Sequence, residues 1–177
     1  MKGRTLSLLA GWIGLAALGL YACGGADNEE PEIRSISFNG TLFVAPTDSI
    51  DGANTVWGLQ GTATGALSST DGAANTVLAV DNMGDIGTEF AAKICSELLS
   101  HDYDDWYLPS SDELNALYTN QNAIGNLEAQ WYWSSTEADA DDAWLQNFAD
   151  GFSHAASKGL LALAGTPSLP PQNHPHG

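Results

Sequence analysis

The chain has 177 residues and a formal net charge of −17, with five basic residues against 22 acidic ones. So few basic residues leave no positive surface to neutralise phosphates, which excludes binding to nucleic acid. Once the terminal segments described below are set aside, about 130 residues remain, a length that suits one globular domain.

The first 22 residues have the layout of a secretory signal peptide. Lys2 and Arg4 form a short basic region, and residues 5–22 are uncharged and end in a small residue before Cys23. A Cys at this position is similar to the acylated Cys of bacterial lipoproteins, so Cys23 is the predicted lipidation site. The alternative is an uncleaved membrane span, but 18 uncharged residues fall short of the ~20 that a span needs.

A polar and acidic stretch, residues 23–37, predicts a flexible tether between the lipid and the domain. At Gly24 an Asp would favour retention in the inner membrane, so its absence indicates the outer membrane or the cell surface. The predicted domain covers residues 38–163, and the Pro-rich residues 164–177 are expected to be disordered. The chain is therefore expected in the cell envelope, attached to the membrane by its lipid.

The domain is predicted to begin with one strand and one helix. Residues 41–45 are β-prone, and the Gly- and Asn-rich residues 48–75 predict irregular turns. Residues 88–100 repeat apolar side chains at three- and four-residue spacing, which predicts a helix capped by Thr88. Cys95 lies on the apolar stripe and is expected to be a buried small hydrophobe rather than a catalytic thiol.

A second helix and an antiparallel sheet are predicted next. Ser110 and Glu113 follow Pro109 with the spacing of a capping box, which predicts a helix start. Asp150-Gly151 is a strong hairpin signal. Three strands are predicted around it: residues 131–136, 143–149 and 152–156. The order of elements predicts an α+β domain with two helices, a small antiparallel sheet and long loops.

Three aromatic-rich motifs carry a resemblance to a known family. They read YDDWYLPSSDEL at residues 103–114, WYWSSTE at 131–137 and AWLQNF at 143–148. They resemble the bacterial family named after the C-terminal domain of the Legionella collagen-like adhesin, over residues 40–158. The resemblance implies a C-type-lectin-like fold related to that of formylglycine-generating enzymes. It also implies sulfated polysaccharides as ligands, but a strongly acidic surface repels such polymers, so this ligand is not carried over.

An acidic loop between two predicted strands is the candidate metal site. Glu137, Asp139, Asp141 and Asp142 could converge on Ca²⁺, which takes six to eight oxygen ligands. Calcium is therefore the cofactor that the sequence suggests. The alternative is a solvated acidic loop that closes a hairpin. The sequence alone leaves both interpretations open.

Several aromatic residues are candidates for ligand contact. Tyr103, Trp131 and Tyr132 are predicted to bind a ligand, because rings with a polar tip suit sugars and protein surfaces alike. Trp106 and Trp133 are instead expected to fill the core.

No catalytic residue is predicted. Ser134 and Ser135 lack the turn that exposes a nucleophile, and spacings for zinc, a P-loop or a dinucleotide are missing from the sequence. The predicted function is a lipid-anchored cell-envelope binding module that recognises a glycan or a surface protein and is not an enzyme. The alternative is a structural envelope lipoprotein that acts through protein–protein contacts and recognises no free ligand.

Overall fold

The computed structural model describes residues 33–45, 54–100, 102–125, 127–165 and 167–169. These residues contain eight strands and four helices. The strands are β1 (Arg34–Ser37), β2 (Thr41–Val44), β3 (Asn54–Thr55), β4 (Trp131–Glu137), β5 (Asp142–Asn147), β6 (Ser153–Ser157), β7 (Ala162–Leu163) and β8 (Ser168–Leu169). The helices are α1 (Gly72–Met83), α2 (Ala91–Ser96), α3 (Ser111–Thr119) and α4 (Gln121–Ile124).

The strands form two sheets. The larger sheet has the order β3-β7-β4-β5-β6. Strands β4 and β7 are parallel, and all other neighbouring strands of this sheet are antiparallel. The smaller sheet has the order β1-β2-β8 and is antiparallel. A register shift interrupts the β4–β5 pairing after Trp133. The second half of β4 therefore bonds to loops, with the N–H groups of Ser135 and Glu137 donating to the carbonyls of Pro109 and Ala66.

Both faces of the β4–β5 pair are covered. Trp133 and Leu145 pack on one face with Trp57 and Phe90, in a cluster that includes side chains of α1 and α2. The opposite face holds a second cluster, formed with α3 and the smaller sheet: Ile36, Leu42, Val44, Tyr107, Leu114, Leu117, Ile124, Tyr132, Phe148 and Leu163. The mixed polarity of β5 in the sequence follows from this arrangement, because neither face is left to solvent along its whole length.

Helix α1 begins at the end of residues 48–75, which were predicted to form irregular turns. A set of polar contacts fixes its start. The Asp71 carboxylate accepts from the N–H of Ala74 and caps the helix. The Thr76 hydroxyl donates to the carbonyl of Gly72 and accepts from the N–H of Leu108. The Asn75 amide exchanges hydrogen bonds with the backbone of Ser68. These contacts fix the start of α1 against two loops.

Glu113 joins α3 to the same region. Its carboxylate accepts from the N–H groups of Gly72 and Ser110, from the Ser110 hydroxyl and from the Tyr107 hydroxyl. The predicted capping box of Ser110 and Glu113 is therefore confirmed. Gly72 is needed here because a Cβ atom would lie 2.6 Å from the Ser110 nitrogen and 2.7 Å from the Leu108 carbonyl oxygen.

Several sequence predictions are confirmed by the structure. The strand at residues 41–45 is β2, and the predicted late hairpin is β5 and β6 around Asp150-Gly151. Trp106, Trp133 and Cys95 are buried. Burial raises the pKa of the Cys95 thiol, which fits an inert hydrophobe.

The predicted fold class is wrong. Instead of two helices with a small antiparallel sheet in a C-type-lectin-like α+β fold, the described residues form a mainly β framework of two sheets with short helices. The predicted helix at residues 88–100 forms only over Ala91–Ser96, because Phe90 bridges to Val56 in extended conformation and Thr88 does not cap it. Strands of two residues, such as β3 and β7, are too short to show an alternating pattern of apolar residues in the sequence. They form because they pair with strands that are distant in the chain.

The predicted segment boundaries also differ from the structure at two places. Residues 34–37, assigned to the tether, form β1 and pair with β2. Residues 168–169, assigned to the disordered tail, form β8 and pair with the opposite edge of β2. The predicted signal peptide at residues 1–22 and the lipidation site Cys23 lie outside the described residues. Among the described helices, none is long and apolar enough to cross a membrane.

Candidate functional site

The acidic loop predicted to bind Ca²⁺ is divided between different roles. Glu137 is buried and forms an ion pair with Lys158, which is fully buried as well. The Glu137 carboxylate also accepts from the N–H groups of Thr64 and Gly65, at 2.8 to 3.1 Å. Lys158 donates in addition to the carbonyls of Thr62 and Ala140, and its ammonium lies 4.8 Å from the centroid of the Trp57 ring.

The charge state of Glu137 follows from these contacts. Burial favours the neutral acid, but the hydrogen bonds from Lys158, Thr64 and Gly65 outweigh it, so the pKa of Glu137 lies below its ordinary value. The carboxylate is therefore ionised at neutral pH and neutralised by Lys158. Both of its oxygens are engaged by these three donors.

The other three acidic residues form a turn. The Asp139 carboxylate accepts from the N–H groups of Asp141 and Asp142, at 2.8 and 2.9 Å, and these bonds lower its pKa. No group of three or more His, Cys, Asp or Glu side chains in the described part of the chain is placed to hold a metal ion. The predicted calcium site of Glu137, Asp139, Asp141 and Asp142 is therefore not assembled, because one carboxylate is committed to Lys158 and another to the turn.

The predicted aromatic ligand contacts are separated by the fold. Tyr132 is 1% exposed and belongs to the core, so its ring is not available to a ligand. Tyr103 is half-buried and packs edge-on against Trp106, with ring centroids 6.4 Å apart. Trp131 is half-buried and packs edge-on against Phe152 and His154. The three residues do not form one surface, because Trp131 and Tyr132 are neighbours in β4 and face opposite sides, and Tyr103 packs in a separate cluster with Trp106.

An open cleft of about 590 Å³ lies elsewhere, where α3 meets β5 and β6. We call it the α3–β5 cleft. The loop before α1 and the start of α3 form one wall, and the outer part of β5 and the β5–β6 turn form the other. Its principal polar and aromatic lining residues are Ser69, Asp112, Asn115, Trp144, Gln146 and Ser153. The volume lies within the range of small-molecule sites in proteins, ~300–1,000 Å³.

The Gln146 amide is the most unusual group in the α3–β5 cleft. The side chain is 3% exposed, and its nitrogen donates to the Asn115 side-chain oxygen at 2.9 Å and to the Gly151 carbonyl at 3.1 Å. Its oxygen is buried and has no hydrogen-bond partner among the described residues. The two acceptors fix the orientation of the amide, so the oxygen cannot be satisfied by a flip.

The remaining groups of the cleft supply both polar and apolar surface. The Asp112 carboxylate accepts from the Ser69 hydroxyl at 2.8 Å, which joins the two sides of one wall. Trp144, which is 38% exposed, and Leu67, which is 64% exposed, supply apolar surface to the cleft. No Lys, Arg or His from the described residues lines the α3–β5 cleft. The arrangement can accept hydrogen bonds and contact an apolar face, but it has no cation for an anionic ligand.

A second, smaller depression of about 320 Å³ is apolar. It is lined by Trp131, Leu145, His154, Leu160, Leu161 and Ala162, and we call it the β6 groove. Leu160 and Leu161 are exposed, and so is Phe152, which stacks on His154. The ring nitrogen Nδ1 of His154 is buried without a hydrogen-bond partner among the described residues.

Sequence reasoning missed the cleft residues for an identifiable reason. Asn115 and Gln146 are separated by 31 positions and meet only because α3 packs on β5. One signal was present in the sequence: Trp144 and Gln146 share a face of the predicted strand at residues 143–149.

The described residues thus define a mainly β domain with an open cleft of mixed polar and apolar lining beside the β5–β6 hairpin. Comparison with protein families shows which domain this is. The family described as the Lcl C-terminal domain matches residues 54–163. The chain belongs to this family, and the resemblance noted from the three motifs is confirmed. The comparison with curated proteins gives no match.

Proposed function

We propose that this protein is a lipid-anchored, adhesin-type binding module of the cell envelope that recognises its ligand in the α3–β5 cleft. The observation that carries the proposal is the buried oxygen of Gln146, which has no hydrogen-bond partner among the described residues and belongs to a side chain that lines the cleft. An unsatisfied buried acceptor costs ~1–3 kcal/mol, and a ligand donor would recover that cost. Membership of the Lcl C-terminal domain family supports the adhesin-type role.

The proposal includes binding without catalysis, because the nucleophile candidates have structural tasks. The Ser134 hydroxyl donates to the carbonyl of Trp144 inside the β4–β5 pair. Ser135 is buried beside the Asn75 amide, and Cys95 is buried in the core with a raised pKa. A reactive serine needs a base within hydrogen-bond reach, and the described contacts of these serines provide none.

The proposal places the protein at the outer membrane or the cell surface through acylation of Cys23. The support is the sequence: a basic start at Lys2 and Arg4, uncharged residues 5–22, and Cys23 directly after the small residue Ala22. Several acyl chains on one Cys give stable anchoring where a single chain does not. Mass spectrometry should find an acylated Cys23, and Cys23→Ser should move the protein from the membrane to the soluble fraction.

The ligand role is tested with variants at the surface of the cleft. Detergent-solubilised full-length protein should bind a subset of immobilised glycans or surface proteins, and Trp144→Ala should weaken that binding while the melting temperature stays within a few degrees. Leu161→Ser, which changes a more exposed apolar residue in the β6 groove, serves as the control and should bind as the wild type does. Equal binding by Trp144→Ala and wild type would refute the assignment of the cleft.

A second candidate function rests on the β6 groove. Leu160 and Leu161 of this groove are exposed, and so is Phe152, which stacks on the groove residue His154. Together they form an apolar surface beside the edge strand β6. Such surfaces mark contacts with other proteins. In this reading the protein is a structural envelope lipoprotein that recognises no free ligand. Cross-linking in intact envelopes distinguishes the two, because Leu161→Ser would then abolish a stoichiometric protein contact that Trp144→Ala leaves intact.

A further inference from the structure

The charges around the α3–β5 cleft restrict its ligand. Asp112 is the exposed ionisable side chain among the lining residues, and Glu137 beneath it is already neutralised by Lys158. Lys158, the buried cation of the described residues, is thereby engaged with one carboxylate and two carbonyls. With a net charge of −17 on the whole chain, a sulfated or carboxylated ligand would be repelled on approach and unpaired after binding.

The hydrogen-bonding groups of the cleft call for a ligand that both donates and accepts. The Gln146 oxygen needs a donor, since it has no partner among the described residues. Asn115 accepts from the Gln146 nitrogen through its side-chain oxygen, and its exposed amide nitrogen is left to donate outward. A hydroxyl group fits between such a pair, because it donates one hydrogen bond and accepts others.

The apolar part of the cleft calls for a ligand with a flat, uncharged face. Trp144 exposes part of its indole in the cleft, on the same face of β5 as Gln146. The C–H face of a sugar ring packs on an aromatic ring while its hydroxyl groups point outward to polar side chains. Neutral polymers without rings would use the amides but not the indole.

From these observations we infer that the α3–β5 cleft binds an uncharged, hydroxyl-rich saccharide unit. A ring lies on Trp144, and one of its hydroxyl groups bridges the Asn115 amide nitrogen and the Gln146 oxygen. Asp112 accepts from a second hydroxyl at the mouth of the cleft. The inference rests on the proposed function, since it names the class of ligand that the binding module recognises.

The test compares neutral and anionic saccharides on the same full-length protein. Detergent-solubilised protein is applied to an array of neutral oligosaccharides that contain hexose or N-acetylhexosamine units, together with their sulfated and uronic-acid counterparts. Neutral saccharides should bind, and addition of a sulfate or carboxylate to the same backbone should weaken binding. Retention only of the sulfated or carboxylated forms would overturn the inference and leave the proposed binding role intact.

Asn115→Asp locates the bound hydroxyl within the cleft. The variant keeps the oxygen that accepts from Gln146 and removes the donating nitrogen, so affinity for a neutral saccharide in calorimetry should fall by roughly twofold to tenfold, the effect of one lost hydrogen bond. Asn122→Asp on α4 is the matched control, an exposed helical Asn given the same charge outside the cleft, and should change nothing.

The remaining outcomes are decisive as well. Unchanged saccharide affinity in both Asn115→Asp and Trp144→Ala would overturn the inference, because binding would then occur elsewhere on the protein. Failure to bind any saccharide would also overturn it. The proposed function itself would fail only if Trp144→Ala bound all immobilised glycans and surface proteins as the wild type does.

Discussion

Lys158→Met should be among the most destabilising substitutions in the described part of the chain. The Lys158 side chain is fully buried, and its ammonium donates to Glu137 and to the carbonyls of Thr62 and Ala140. A Met side chain fills much of the same volume but donates nothing. The substitution therefore leaves a buried carboxylate without its counter-ion and two carbonyls without a donor.

Removal of one partner of a buried ion pair costs ~3–5 kcal/mol, because the other charge stays behind without compensation. Glu137 keeps the N–H groups of Thr64 and Gly65, which limits the loss. A typical domain has ~5–15 kcal/mol of stability, so this loss removes roughly a fifth of it or more. In the double variant Glu137→Gln/Lys158→Met the orphaned charge is gone, and the total cost should be smaller than the sum of the two single costs.

Urea unfolding at pH 7, followed by tryptophan fluorescence, measures these differences. Lys93→Met is the matched control: Lys93 pairs with Glu89 at 3.1 Å and Glu97 at 3.9 Å on the surface of the protein, so its unfolding midpoint should stay close to that of the wild type. A wild-type midpoint for Lys158→Met, or additive costs in the double variant, would refute the reasoning about the buried pair.

The same pair predicts an acid response. The pKa of Glu137 is lower in the folded protein than its ordinary value of 4.5, so its stabilisation is fully present above that pH and is lost as the pH falls through the folded pKa. The wild type should therefore lose more stability between pH 5 and the acid limit than Glu137→Gln does. Parallel pH curves for the two proteins would contradict this.

Three further predictions concern other sites. Gly72→Ala should destabilise the domain by ~1–3 kcal/mol, because its Cβ atom would press on backbone atoms of Ser110 and Leu108, whereas Gly159→Ala has room and should not; equal unfolding midpoints would contradict the close approach. The Cys95 thiol, buried and with a raised pKa, should react with a thiol reagent only after unfolding, measured in the Cys23→Ser background. Millimolar Ca²⁺ should raise the melting temperature no more than NaCl of the same ionic strength, and a larger, Ca²⁺-specific rise would revive the acidic loop as a metal site.

The parts of the fold that the sequence predicted are those with local chemistry. The start of α3 depends on a capping box between Ser110 and Glu113, three residues apart, and the β5–β6 turn depends on Asp150-Gly151. Gly151 adopts a positive φ of 80° beside the Tyr118 ring, where other residues would be strained. Such signals involve neighbours in sequence and are visible without knowledge of the tertiary structure.

The parts that could not be predicted depend on distant partners. Helix α1 contains Asn75 and Thr76, which favour turns by propensity, and forms because their side chains are satisfied by Ser68 and Leu108 within the core. Strands β3 and β7 are two residues each and gain their identity only by pairing across more than 100 positions. The mixed sheet, and with it the error in fold class, followed from contacts of this kind.

The candidate site also depends on contacts between residues that are distant in the chain. The contacts that stabilise the fold therefore also shape the cleft. The loop that forms one wall of the α3–β5 cleft has no regular structure between Gly58 and Ser69, yet it is fixed along its length. Lys158 holds the Thr62 carbonyl, Glu137 holds the N–H groups at 64 and 65, and Asn75 and Thr136 both bond to Ser68. A loop fixed in this way offers a preformed surface, so ligand binding does not have to order it. The motif residues 133–137 therefore mostly position the loop, and the residues proposed to contact a ligand, Trp144 and Gln146, are their neighbours in space. Variation at these neighbours would change the ligand while the buried polar network, and hence the fold, stays the same.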